Sequence, residues 1–202
     1  IDLMKHHLVG IAGGENKRGA DPILYNLIAQ IATQNCYTDV KLVFLSDSGD
    51  FEERWKFALW LPHVWSENRK FRFAAYDQID AGEVLFELTE VFRRRFEEQR
   101  EGINQDNQKM PLPYYILFVE DERLIAGELI EKYVYAREKK LGLTTVFLAE
   151  RYEDLPNNCE YIIQNDEKFS GFCYAKAGTA GKLPVQFDII TKEQMDALAR
   201  KI

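Results

Sequence analysis

No apolar run in these 202 residues approaches the roughly 18 that a membrane span requires, and 29% of the chain is charged, so the expected piece is soluble. Histidine and cysteine are scarce, three of each, and they form no CxxC or paired ligand spacing. A structural metal site and a disulfide framework therefore lack their ligands, and Cys36, Cys159 and Cys173 are expected as reduced thiols in a cytosolic compartment. Positive charge is in deficit, with 26 Lys and Arg against 33 Asp and Glu and a net charge of −7. That gives no electrostatic reason to expect a nucleic-acid surface. No Ser/His/Asp or Cys/His arrangement supports a hydrolase or transferase. The chain opens on Ile1-Asp2-Leu3 without initiator methionine or signal peptide, and closes directly after a helical pattern. Both ends are expected to be cuts in a longer protein.

What is present is core material. A 46% hydrophobic share over residues 1–202 suits one well-cored domain better than two. Residues 7–12 read as a buried strand running into Gly13-Gly14, and residues 21–35 as a helix with Asp21 as N-cap and Pro22 at its first position. Further buried strands are expected at 40–45, 71–75, 114–120 and 144–149, with helices at 51–61, 82–100 and 124–138 between them. Such alternation predicts an α/β fold, a mostly parallel sheet with helices on both faces. Past Pro156, short strands at 161–163, 171–175 and 185–190 suit an antiparallel extension, followed by a helix at 191–202. Residues 101–110 are polar and read as a loop.

The strand-to-helix turn carries the spacing of a phosphate-binding loop, Gly14-Glu15-Asn16-Lys17-Arg18-Gly19. In the working pattern GxxxxGK[ST], backbone N–H groups and the lysine surround the phosphates while the hydroxyl holds magnesium. Here Ala20 and Asp21 follow, so the lysine position is empty of charge and the hydroxyl position is an acid. Lys17 and Arg18 keep the loop cationic. Two readings stand: a loop that binds an anion weakly, or a plain turn in which Asp21 caps the helix.

A second signal follows the strand at 114–120. Glu120, Asp121 and Glu122 lie where a magnesium-holding acid and a water-orienting acid would sit at the end of a central parallel strand. Either Glu120-Asp121 or Asp121-Glu122 could be the pair, and acids at a strand exit are also ordinary solvated residues. Elsewhere, His63 reads as structural or as an interface element, and His6 and His7 as incidental. Arg93-Arg94-Arg95 suit a solvated face with local ion pairs. Trp55, Trp60 and Trp65 read as core, or as an interaction site if exposed together. A dinucleotide enzyme would need GxGxxG before an acid such as Asp47; Gly10-Ile11-Ala12-Gly13-Gly14 lacks that spacing.

The stretch from His7 to Gly19, the segment Trp60-Leu61-Pro62-His63-Val64-Trp65-Ser66 and the run from Leu155 to Ile163 resemble the EssC family of type VII secretion ATPases over nearly the whole chain. The resemblance implies an FtsK/SpoIIIE-like or Rossmann-like core, cut from the cytoplasmic part of a membrane ATPase between its transmembrane helices and its first ATPase module. It puts the phosphate lysine on Ala20, the magnesium hydroxyl on Asp21, and Glu150 where a glutamine senses the γ-phosphate. The resemblance thus implies a domain that does not hydrolyse ATP and couples membrane part to motor for protein export. No cofactor is expected, ATP with magnesium being possible. Partners would be other domains of the same ATPase, other secretion components, and copies of the parent in a homo-oligomer, with no nucleic acid. The alternative is a regulatory sensor that binds ATP or ADP uncleaved.

Overall fold

The computed structural model describes residues 2–47, 51–100, 110–136, 140–176 and 179–202. Short runs apolar at every position form the middle of the sheet, because only a strand covered on both faces can bury each successive side chain. These are β1 (Leu8–Ala12), β2 (Val40–Leu45), β4 (Tyr114–Val119) and β5 (Leu143–Ala149), with β3 (Ala74–Ala75) at one edge. β6 (Tyr161–Asn165), β7 (Ser170–Lys176) and β8 (Thr179–Pro184) complete eight strands in the order β3-β2-β4-β5-β1-β6-β7-β8. β1 to β6 pair in parallel, whereas β6-β7-β8 form an antiparallel meander.

Successive strand residues feed two cores. Val9, Ile11, Leu42 and Phe44 pack on one face under α1 (Asp21–Gln34) and α5 (Lys192–Ala199). Leu8, Ala12, Val43 and Leu45 pack on the other, under α3 (Gln78–Arg100), whose Ala81, Val84, Leu85, Leu88 and Phe92 recur at helical spacing. The carboxyl ends of β1, β4 and β5 lie side by side, with β5 between the strand that enters the glycine loop and the strand that ends in acids.

Several expected elements differ. In place of one helix at 51–61 there is a single turn, α2 (Phe51–Arg54), then 3-10 turns at Lys56–Trp60 and Pro62–Val64. Phe51, Arg54, Trp55, Phe57 and Ala58 are all buried there, which no straight amphipathic helix achieves. The 71–75 strand shrinks to β3. The 124–138 helix is broken: Glu122–Leu124 is a 3-10 turn and α4 covers only Glu131–Val134, because Gly127 takes φ 78° between them; residues 137 and 138 lie outside the described residues. The last strand is β8 rather than 185–190, a segment without regular structure whose Phe187 and Ile190 pack against the first core. The loop expected at 101–110 falls outside the described residues except Met110. Arg95 is no surface residue: it is buried and donates to the carbonyls of Leu141 (2.7 Å) and Pro113 (2.8 Å), while Arg93 keeps exposed pairs with Glu90 and Glu97.

Candidate functional site

The glycine loop closes on itself. Gly14 takes φ 72°, Asn16 and Lys17 take φ 52° and 59°, and the chain from Glu15 to Ala20 winds as a distorted 3-10 turn into α1. A phosphate cradle needs loop amides aimed at the ligand. Here Gly13 N–H donates to Ala149 O (2.9 Å), Gly14 N–H to Glu150 O (2.9 Å), Lys17 N–H to Gly14 O (2.9 Å) and Gly19 N–H to Gly13 O (2.7 Å). The Asn16 N–H donates to the Glu150 carboxylate at 3.0 Å, so the loop amide meets an acid of the protein itself. Gly19 is demanded by packing: a Cβ there would collide with the Asn165 backbone oxygen, and Asn165 Nδ2 donates to Gly19 O at 2.7 Å.

Asp21 does not cap α1. It stands inside the first turn, with Ala20 at the N-cap position and no side-chain cap hydrogen bond. Its carboxylate instead forms an ion pair with Arg54 Nε at 2.8 Å. The same guanidinium donates through Nη1 to Glu120 Oε1 (2.6 Å) and through Nη2 to the Asn16 carbonyl (2.7 Å). Glu120, 2% exposed, also accepts from Ser46 Oγ (2.5 Å) and Trp55 Nε1 (3.0 Å). Lys17 reaches in from the loop and donates to Glu120 O at 2.5 Å. Asp121 and Glu122 are used elsewhere: Asp121 holds Arg123 with both oxygens and caps the short turn, and Glu122 accepts from Tyr135 Oη at 2.6 Å. Of the three acids, Glu120 takes the hydrogen bonds from Lys17 and Arg54, while the Lys17 charge also acts on Asp121.

Burial works against Glu120's charge, but hydrogen bonds from Ser46, Arg54 and Trp55 and the Arg54 charge outweigh it and hold the carboxyl below its usual range. For Asp21 burial dominates and pushes it up to about 6, with the charge of Arg54 and its hydrogen bond opposing and Glu120 adding to the rise. The arrangement is a buried triad, two acids bridged by one permanent cation. Beside it, a cleft of about 530 Å³ runs between the loop and residues 165–168, with Arg18 and Glu150 on its walls. Arg54 fills the space between the two acids, Ala20 brings no charge, and five loop amides already have acceptors in the protein.

The network brings together Lys17, Asp21 and Glu120 as sequence spacing suggested, and adds Arg54, Ser46 and Trp55, which it did not. One signal was available: Phe51, Arg54 and Ala58 share helical spacing, which puts an arginine on an apolar face. His63 is buried, burial lowers its pKa, and its Nε2 lies 3.0 Å from Asn35 O, a structural placement. Among the described residues no group of three or more His, Cys, Asp or Glu could hold a metal ion, and no helix is long and apolar enough to cross a membrane.

Fold and site together define an α/β domain with a mostly parallel sheet, in which the glycine loop after β1 is closed by the protein's own groups. No protein-family model matches the chain. It is 24% identical over 202 residues to the ESX secretion system protein EccC of Geobacillus thermodenitrificans, covering 100% of this chain and 13% of that protein. It is 22% identical over 180 residues to YukB of Bacillus subtilis and 24% identical over 179 residues to the type VII secretion system protein EssC of Staphylococcus aureus, covering 89% of this chain and 12% of each. Solved structures share the fold: EccC ATPases 2 and 3 of Thermomonospora curvata, in complex with a signal sequence peptide, at a TM-score of 0.60 over 98% of this chain and 41% of that one, and EssC ATPases 2 and 3 of Geobacillus thermodenitrificans at 0.57 over 81% and 32%. Both are 15% identical to it. The chain is a homologue of the EccC/EssC/YukB type VII secretion ATPases, spanning 12 to 13% of the curated relatives' length.

Proposed function

We propose that this chain is a non-catalytic module on the cytoplasmic side of a type VII secretion ATPase, placed between its membrane part and its first ATPase module, and that it couples the two during protein export. The observation that carries this is Arg54 seated between Asp21 and Glu120, the two positions a nucleotide site reserves for its magnesium hydroxyl and its acid. A phosphoryl-transfer site stabilises charge that develops on the phosphate, with cations free to meet it. Here the central cation is neutralised by two carboxylates, and Lys17, the loop lysine closest to them, is bound to a carbonyl.

A nucleotide-sensing role would need Lys17 or Arg18 to replace the missing lysine and Glu150 to leave the Asn16 amide. Titration calorimetry of the 202-residue chain with ATP and magnesium, run beside a phosphate-release assay, is expected to show neither saturable heat nor turnover. Turnover that Asp121→Asn abolishes would overturn the non-catalytic reading, and saturable binding lost in Lys17→Ala would favour the sensor. For coupling, deletion of this segment from the full-length ATPase is expected to stop export; export at the normal level would sink that half of the proposal.

A further inference from the structure

The face of α3 turned away from the sheet carries an apolar stripe in contact with solvent. Ile79 is 77% exposed and Phe86 65% exposed; seven residues separate them, which is two turns or about 10 Å along the helix. Between them stands Gly82, where an added Cβ would meet no atom within 4 Å. Glycine weakens a helix interior relative to alanine, and packing within the chain does not demand it at this position. Its missing side chain leaves a notch: Phe71, Ile79, Gly82, Glu83, Phe86 and Glu87 line a cleft of about 470 Å³. A notch between two ridge residues is the shape into which a neighbouring helix packs.

Charge narrows what fits there. From Gln78 to Phe92, α3 carries Asp80, Glu83, Glu87 and Glu90 and no Lys or Arg. Asp80 accepts from the Tyr76 N–H, and Glu90 is paired with Arg93. Glu83 and Glu87 form no ion pair or hydrogen bond among the described residues. Four residues apart, they make one flank of the stripe.

We infer that this face docks a basic amphipathic helix of a partner polypeptide, which seats an apolar side chain over Gly82 between Ile79 and Phe86 and sets Lys or Arg on Glu83 and Glu87. A second copy of this chain is disfavoured, because two α3 faces related by a twofold axis would bring Glu83 and Glu87 against the same acids. The same acids repel a phosphate backbone and an anionic lipid surface. The inference goes beyond the coupling role, and it stands whether or not the glycine loop binds ATP.

The probe is the peptide Ac-KLAKKLAKLAKKL-amide, which as a helix carries leucines on one face and lysines on the other. It is titrated calorimetrically into the 202-residue chain, beside a version with every lysine replaced by glutamate and a scramble of its own composition. The lysine peptide is expected to bind saturably, and both controls about tenfold more weakly or worse. Phe86→Ser and the double variant Glu83→Gln/Glu87→Gln, all at exposed positions, should each weaken it about fivefold or more. Gly82→Gln, which fills the notch, is expected to raise the melting temperature while weakening the peptide by about the same factor. Asp188→Asn/Glu193→Gln removes as much charge on the side of the sheet covered by α1 and α5, and should leave the affinity unchanged. Absence of saturation, a control peptide that binds equally well, an unchanged affinity in any of the three α3 variants, or an equal loss in Asp188→Asn/Glu193→Gln would each overturn the inference. So would a dimer of the chain, seen by sedimentation, that Phe86→Ser dissociates.

Discussion

Asp21 and Glu120 share one guanidinium but titrate in opposite directions, and this separates their effects on stability. Burial pushes the Asp21 carboxyl up to about 6, from an ordinary value of 3.8. Between those values the folded chain holds a proton that the unfolded chain has released, so this group makes stability fall as pH rises from about 4 to about 6 and adds no slope above that. Glu120 is held below 4.5, so its contribution is present above that value and is lost as pH falls through its folded pKa. Asp21→Asn keeps an oxygen for Arg54 and removes the titration. Relative to the parent chain it is expected to gain about 1–2 kcal/mol between pH 4 and pH 6.5, after allowance for solvent screening. Urea melts at the two pH values measure this; a pH-independent difference would refute it. Arg54→Met is the harsher change. It strands two acids in the protein and is expected to lower stability by about 3–5 kcal/mol, while the triple variant Asp21→Asn/Arg54→Met/Glu120→Gln recovers most of the loss. None of this triad was legible as a triad. Arg54 is 33 residues from Asp21 and 66 from Glu120, and although its helical spacing with Phe51 and Ala58 hints at burial, nothing in the sequence names the two acids it meets. That Ala20 and Asp21 stand where the pattern GxxxxGK[ST] has lysine and a hydroxyl is read directly from the spacing of Gly14 and Gly19.

At the level of elements, legibility followed burial on two sides. β1, β2, β4 and β5 were readable because strands covered by helices must be apolar at every position, and α3 because its apolar residues repeat at helical spacing from Ala81 to Phe92. The failures share a cause. From Phe51 to Val64 and from Glu122 to Val134, the chain buries residues by turning repeatedly, and period alone does not distinguish this from a helix. The glycine loop makes a testable case of the same point. Gly19 reads as a phosphate-loop glycine, yet its place is set by the end of β6, where Asn165 closes over it. Gly19→Ala is therefore expected to destabilise the chain by roughly 1–3 kcal/mol through overpacking, with no nucleotide present. Thermal melts in nucleotide-free buffer check it, and an unchanged midpoint would show that packing does not require this glycine.

For the whole molecule, the central strands hand alternate residues to two cores, so neither face can lose its packing without exposing the sheet that supports the other. Trp55 is buried in the core beneath α1 and Trp65 packs against it, whereas the core beneath α3 has no tryptophan among its described residues. Tryptophan emission thus reports one face, and far-ultraviolet dichroism draws heavily on α3, the 23-residue helix of the other. A sheet shared in this way predicts a single cooperative transition, with both signals giving the same urea midpoint and the same slope. Two separated midpoints would mean that the faces unfold independently. The coupling proposed here would then need another basis, since a module that transmits force between a membrane and a motor has to carry it across its own sheet.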